Sequence, residues 1–167
     1  MNYLVFDFET TVKNAEGVSS YVVGNEMGSP FHPENRAVVL GYKQRGGEVV
    51  TGLVKPSLEG ITELVGHNIR FDLHYLVKTW PELEEWLHTP DHTVWDTQIV
   101  EYLLSGQQHK FATLDELALA YGGTLKDSDV KEFWENGGQT EDLPEEKLIP
   151  YLIGDIENTE LVYKGQI

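Results

Sequence analysis

The chain has 167 residues, 40% hydrophobic and 24% charged, with no cysteine. That is the size and makeup of a single domain, 1–167, with a buried core, and it excludes a disulfide framework, a thiolate metal site and a cysteine nucleophile. Acids outnumber bases 28 to 12 for a formal charge of −16, which taken alone argues against a polyanionic partner and for a solvated acidic shell.

Tyr3-Leu4-Val5-Phe6 is an apolar run with aromatic and β-branched residues and reads as a buried strand that delivers Asp7-Phe8-Glu9 at its end. Residues 12–35 carry three glycines and two prolines, the makeup of a long loop. Segments 37–42 and 48–54 flank Gly46-Gly47, which predicts a β-hairpin, so that three antiparallel strands open the fold. A short fourth strand is predicted within 61–66, followed by a buried helix over 71–77 that stops before Pro81. A helical segment over 96–104, striped through Ile99, Val100, Leu103 and Leu104 and closed by Gly106, follows, with Trp95 read as a core anchor beside Leu103 and Leu104 on a helical segment. Thr113 and Glu116 have capping-box spacing ahead of Leu117, and that helix ends at Gly122-Gly123. The acidic C-terminal third is helical, with Pro150 expected in the first turn of a last helix running to about Lys164. Strands first and helices after predict an α/β fold with a mixed central sheet and an antiparallel meander, flanked by helices.

The longest unbroken apolar run, Leu117 to Tyr121, is too short to span a bilayer, and the amino terminus lacks the basic region and apolar core of a signal peptide. A cytoplasmic protein, neither secreted nor membrane-bound, is the expectation.

Three groups of acids stand in apolar surroundings. Asp7 and Glu9, two apart on an extended segment, leave the same face, where their repulsion calls for a shared proton, an arginine or a metal; taken alone, solvent-facing acids beyond a strand end are the plainer account of the pair. Asp72 lies among apolar residues at a helix start; taken alone, an acid that favours the helix dipole is the plainer account. Tyr151 and Asp155 are i, i+4 on the last helix, placing phenol and carboxylate side by side; a bond that only staples the helix is the plainer account. Together the four acids, with no base at equivalent spacing, form a hard oxygen set suited to magnesium or manganese. Zinc is disfavoured: Pro90 interrupts His88 and His92, and neither that pair nor His67 with His74 has a third nitrogen ligand at suitable spacing.

The ordered segments Val5-Phe6-Asp7-Phe8-Glu9-Thr10, Gly66-His67-Asn68-Ile69-Arg70-Phe71-Asp72 and Tyr151-Leu152-Ile153-Gly154-Asp155 resemble the three motifs of the DEDD superfamily of 3′→5′ exonucleases, in the branch with a tyrosine in the third motif. Trp95-Asp96-Thr97, Tyr102-Leu103-Leu104 and Leu114-Asp115-Glu116-Leu117-Ala118 look like the linking segment of the proofreading domains of family-A DNA polymerases. The resemblance covers nearly the whole chain and implies a ribonuclease-H-like fold. It implies two divalent cations, Mg²⁺ or Mn²⁺. Asp7, Glu9 and Asp155 would hold one, Asp7 would bridge to the second, Asp72 would bind the second, and Tyr151 would orient the attacking water. Asn68, Phe71 and Thr10 are the expected contacts to the terminal nucleotide, although Asn68 also suits a helix cap and Phe71 the core. The implied substrate is a single-stranded 3′ end, DNA favoured over RNA, and the implied product a nucleoside 5′-monophosphate.

Asp155 stands twelve residues before Ile167, so the expectation is a monomeric free-standing enzyme or the proofreading part of a longer polymerase or replication assembly. A ribonuclease D-like exoribonuclease and a non-catalytic acidic module keeping the fold are the alternatives. The charge then takes a different meaning: four acids as ligands and two divalent cations leave about −12 and return positive charge where phosphate must sit, which predicts weak binding confined to a strand end.

Overall fold

A computed structural model describes residues 1–13, 28–108, 110–125 and 127–167. Most of the long loop expected over 12–35, its stretch 14–27, lies outside the described residues. Five strands, β1 (Tyr3–Thr10), β2 (Ala37–Gln44), β3 (Val50–Gly52), β4 (Glu63–Gly66) and β5 (Thr93–Asp96), form one sheet in the order β3-β2-β1-β4-β5. β1 pairs antiparallel with β2 and β2 with β3, giving the expected meander; β1 with β4 and β4 with β5 are parallel. The helices are α1 (Ile69–Thr79), α2 (Glu84–Leu87), α3 (Thr97–Leu104), α4 (Leu114–Ala120), α5 (Ser128–Glu135) and α6 (Glu145–Gln166), with 3₁₀ turns at Pro81–Leu83 and Thr140–Asp142. No described helix is long and apolar enough to cross a membrane.

Alternation along β1 sorts the core into two layers. Leu4, Phe6 and Phe8 join Leu40 and Leu64 against Ile69, Tyr75 and Leu76 of α1, and Trp86. Tyr3 and Val5 face the other way, with Val65, onto Ile156 and Tyr163 of α6, while Val39 meets Leu148 and Leu152 of the same helix. Each face of the sheet is thus covered by one principal helix, and the central strand is buried on both.

Three expectations are corrected. Strand one runs through Asp7 and Glu9 to Thr10 instead of ending at Phe6, because pairing with β2 continues from Leu4 to Thr10 and keeps these backbone groups bonded. The last helix starts at Glu145 behind Pro144, and Pro150 lies inside it; the missing N–H at 150 deprives only the Glu146 carbonyl of its partner, and the buried face of α6 outweighs that loss. Trp95 is on β5, its ring edge-on to Tyr163 at 5.5 Å, whereas Leu103 and Leu104 of α3 are 54% and 62% exposed. The apolar stripe of α3 therefore does not mark its buried side. The Thr113–Glu116 capping box is present at the start of α4.

Candidate active site

β1 outruns its neighbour. It pairs with β4 only over Tyr3, Leu4 and Val5, so beyond Val5 the edge facing β4 needs other partners. Asp72, in the first turn of α1, supplies one: its Oδ1 accepts from the Phe8 N–H at 2.8 Å. One carboxylate thereby joins α1 to the half of β1 that carries Asp7 and Glu9.

Asp7 and Glu9 continue the odd-numbered set of β1 and face α6, where Tyr151 and Asp155 stand one turn apart. Asp7, Glu9 and Asp155 each offer a carboxylate oxygen, all within 4.8 Å of one another. Asp7 is half-buried, and Glu9, Asp155 and Asp72 are 8%, 6% and 3% exposed. Burial pushes the Asp72 carboxyl up to about 8 against the bonds from the Phe8 and Asp72 backbone, with the charges of Asp155 and Asp96 adding to the rise. Tyr151 is buried, and the ring of Trp134 meets it edge-on at 5.5 Å, itself fixed by a 3.0 Å bond from its indole N–H to Thr140 Oγ1.

Asn68 takes a left-handed conformation (φ 54°) ahead of α1, and its side chain does not cap the helix. That task falls to Asp96, which accepts from the Asn68 and Ile69 N–H groups at 3.0 and 3.1 Å while also capping α3 through Gln98 N–H at 2.9 Å. The Asn68 side chain is left to line a cleft together with Phe71. Phe71 is half-buried against Tyr75 at 5.1 Å. Thr10 is buried and its hydroxyl donates to the Thr11 carbonyl at 3.1 Å. His67 is occupied structurally, with Nδ1 at 3.0 Å from Thr97 Oγ1 and Nε2 at 3.1 Å from the Ala112 carbonyl.

Two contributors escaped the sequence reading. Asp96 carries a local signal, an acid directly before an apolar helical stripe, but placed at the start of a helical segment and in the linking segment it gives no sign of its reach to α1. Gly41 carries none: it sits opposite Asp7 in the β1–β2 register, and a Cβ there would lie 2.8 Å from Leu152 Cγ and 3.1 Å from Ile156 Cγ1. Its missing side chain lets α6 approach the sheet closely enough to bring Asp155 to Asp7 and Glu9.

Three clustered carboxylates fit a hard divalent cation in donor type and spacing. A cation held by such a set is suited to metal-assisted hydrolysis of a phosphodiester. The chain belongs to the 3′–5′ exonuclease family, whose model matches residues 1–164. It is a metal-dependent 3′–5′ exonuclease acting on nucleic acid, with a ribonuclease-H-like fold. No curated protein matches the chain.

Proposed function

We propose that the chain removes nucleoside 5′-monophosphates one at a time from the 3′ end of single-stranded DNA, by a two-cation mechanism and in a proofreading role. The observation that carries this reading is the convergence of Asp7, Glu9 and Asp155 oxygens within 4.8 Å, beside a fourth buried acid, Asp72, tied to the same strand. Asp7, Glu9 and Asp155 would hold one divalent cation, and Asp7 with Asp72 would hold a second. Bound there, divalent cations would supply Lewis-acid charge to the phosphate oxygens, the attacking water and the departing 3′ oxygen. The Tyr151 hydroxyl orients that water, its ring held by Trp134. Asn68 and Phe71 receive the terminal nucleotide, and Thr10 closes the strand end beneath them. DNA is favoured because the motifs and the segment linking them resemble those of family-A proofreading domains. At a net charge of −16 the chain binds long strands poorly, so a polymerase or other replication partner delivers the 3′ end.

Incubation with 5′-labelled single-stranded DNA and RNA in magnesium or manganese tests this. A ladder of shortened DNA products with release of 5′-monophosphates is expected, abolished by chelator. Shortening of RNA alone moves the protein to the exoribonucleases, and cleavage of neither polymer by folded wild type removes the reading.

A further inference from the structure

Thr140 follows Trp134 by six residues, and the chain folds back on itself between them. Gly137, at φ 83°, closes α5: its N–H donates to the Trp134 carbonyl at 2.9 Å and the Gly138 N–H to the Phe133 carbonyl at 2.8 Å. The 3₁₀ turn Thr140–Asp142 then brings the fully buried Thr140 hydroxyl to the Trp134 indole N–H at 3.0 Å. The same turn reaches the end of the central strand. Glu141 lies 3.8 Å from Lys13 Nζ, just beyond β1, and the Lys13 N–H donates to the buried Asn35 Oδ1 at 2.9 Å. That ion pair is partly exposed and adds little stability; it marks where the turn sits, between the strand that carries Glu9 and the ring that meets Tyr151.

The other side of the Trp134 ring packs with Val39, Leu148 and Leu152. Leu148, Tyr151 and Leu152 stand at i, i+3 and i+4 on one face of α6, and the indole meets the Tyr151 ring at an interplanar angle of 82°. An indole has a single donor and no acceptor. Trp134 is only half-buried, so packing leaves its ring some freedom, and the bond to a buried hydroxyl removes it.

We propose that Thr140 and Trp134 are positioning residues for the nuclease: the turn Thr140–Asp142 fixes the indole, and the indole sets the Tyr151 phenol beside the Asp7–Glu9–Asp155 cluster. The proposal rests on the exonuclease reading, in which the Tyr151 hydroxyl orients the attacking water. Both residues act through Tyr151, so they bear on kcat and leave KM alone. Misplacing an orienting group by about 1 Å costs on the order of 10²-fold in rate.

Thr140→Val keeps the shape of the side chain and removes the acceptor. It is expected to lower kcat about tenfold, with KM unchanged, on the 5′-labelled strand that the protein shortens. Thr140→Ser, which keeps the hydroxyl, should hold the wild-type rate, and Trp134→Phe, which keeps a ring and loses the N–H, should match Thr140→Val. In a Tyr151→Phe background Thr140→Val should cost nothing further, because the hydroxyl being positioned is already gone. The same loss in that background, or a wild-type kcat in folded Thr140→Val and Trp134→Phe proteins, overturns the brace. Cleavage of neither DNA nor RNA by wild type overturns the exonuclease reading instead. NMR of ¹³C-tyrosine-labelled protein then decides the brace: faster Tyr151 ring flips in Thr140→Val support it, and an unchanged rate overturns it.

Discussion

Buried acids gather at both ends of the interface between β1 and α6, and the two ends treat them in opposite ways. At the amino end of β1, Glu160 accepts from the Tyr3 hydroxyl at 2.7 Å and pairs with Lys43 at 2.8 Å and Lys164 at 3.1 Å. Glu63 accepts from the Tyr163 hydroxyl at 2.5 Å and from Thr93 Oγ1 at 3.0 Å. Burial pushes the Glu160 carboxyl up, yet the bonds from Lys43, Tyr3 and Lys164 outweigh it and hold the group below the usual carboxylate range. The Tyr3 hydroxyl is pushed up to about 12 by burial and by Glu160. At the carboxyl end, carboxylate meets carboxylate: Asp7, Glu9 and Asp155 share a 4.8 Å cluster. One helix and one strand thus carry a structural ion-pair site and a carboxylate cluster suited to a cation. Acid content alone does not separate the two; the partners do.

The largest difference should appear when each end is broken. Asp155→Asn or Asp7→Asn is expected to lower kcat on single-stranded DNA on the order of 10³-fold, since bound cations contribute several kcal/mol of transition-state stabilisation. The melting temperature in chelator should hold steady or rise as one repelling charge is removed. Millimolar Mn²⁺ should raise the melting temperature of wild type, because a cation bound only by the folded state stabilises it by mass action. A variant losing stability in chelator while keeping its rate would make this end structural too.

Glu160→Ala should do the reverse, costing about 3 kcal/mol in urea denaturation and leaving the rate per folded molecule near wild type. The pH dependence has a definite sign. The folded Glu160 lies below its ordinary 4.5, so its stabilisation is complete above that value and is lost as pH falls through the lower folded one. Lys43 is raised above 10.5, first by its bond to Glu160, so its stabilisation holds at neutral pH and is lost as pH rises past the unfolded value through the folded one. Wild type should therefore lose stability on the acid side below about pH 4.5, and Glu160→Ala should show a shallower acid limb.

Gly41→Ala tests what aligns the two elements. Its methyl would press on Leu152 and Ile156, and overpacking of this kind costs about 2 kcal/mol. If α6 moves to make room, Asp155 moves from Asp7, and kcat should fall tenfold or more beyond the loss of stability. A wild-type kcat in a destabilised Gly41→Ala protein would show that the helix yields without shifting Asp155.

How much of this was legible in the sequence follows from how local each feature is. Hairpin and capping box depend on neighbours a few residues away, and the structure has both as expected, whereas the meeting of Asp7 and Glu9 with Asp155 is a contact across the fold. β5 was missed because Thr93–Asp96 is four residues long at the sheet edge, with Thr93 and Val94 exposed, and leads straight into α3. The start of α6 was misread because proline favours a first turn, whereas here the buried face from Leu148 through Tyr163 keeps Pro150 inside the helix. Gly41 acts through residues more than a hundred positions away, and no pattern near it carries that contact.

The smallest expected effect lies on α6 beside Asp155. Gly154 has ordinary helical backbone, and a Cβ there would meet nothing within 4 Å. Glycine in a helix interior is less favourable than alanine by about 0.5–1 kcal/mol, chiefly through the freedom it gives the unfolded chain. Gly154→Ala should therefore raise stability by that amount in urea denaturation. The methyl points into open space on the side lined by Tyr151 and Asn158, so the Asp7–Glu9–Asp155 geometry is untouched and kcat should stay near wild type. A gain in stability with a fall in kcat would instead mean that flexibility at position 154 is used when Tyr151 and Asp155 close on substrate, and would extend the contrast between the two ends of α6 from charge to motion.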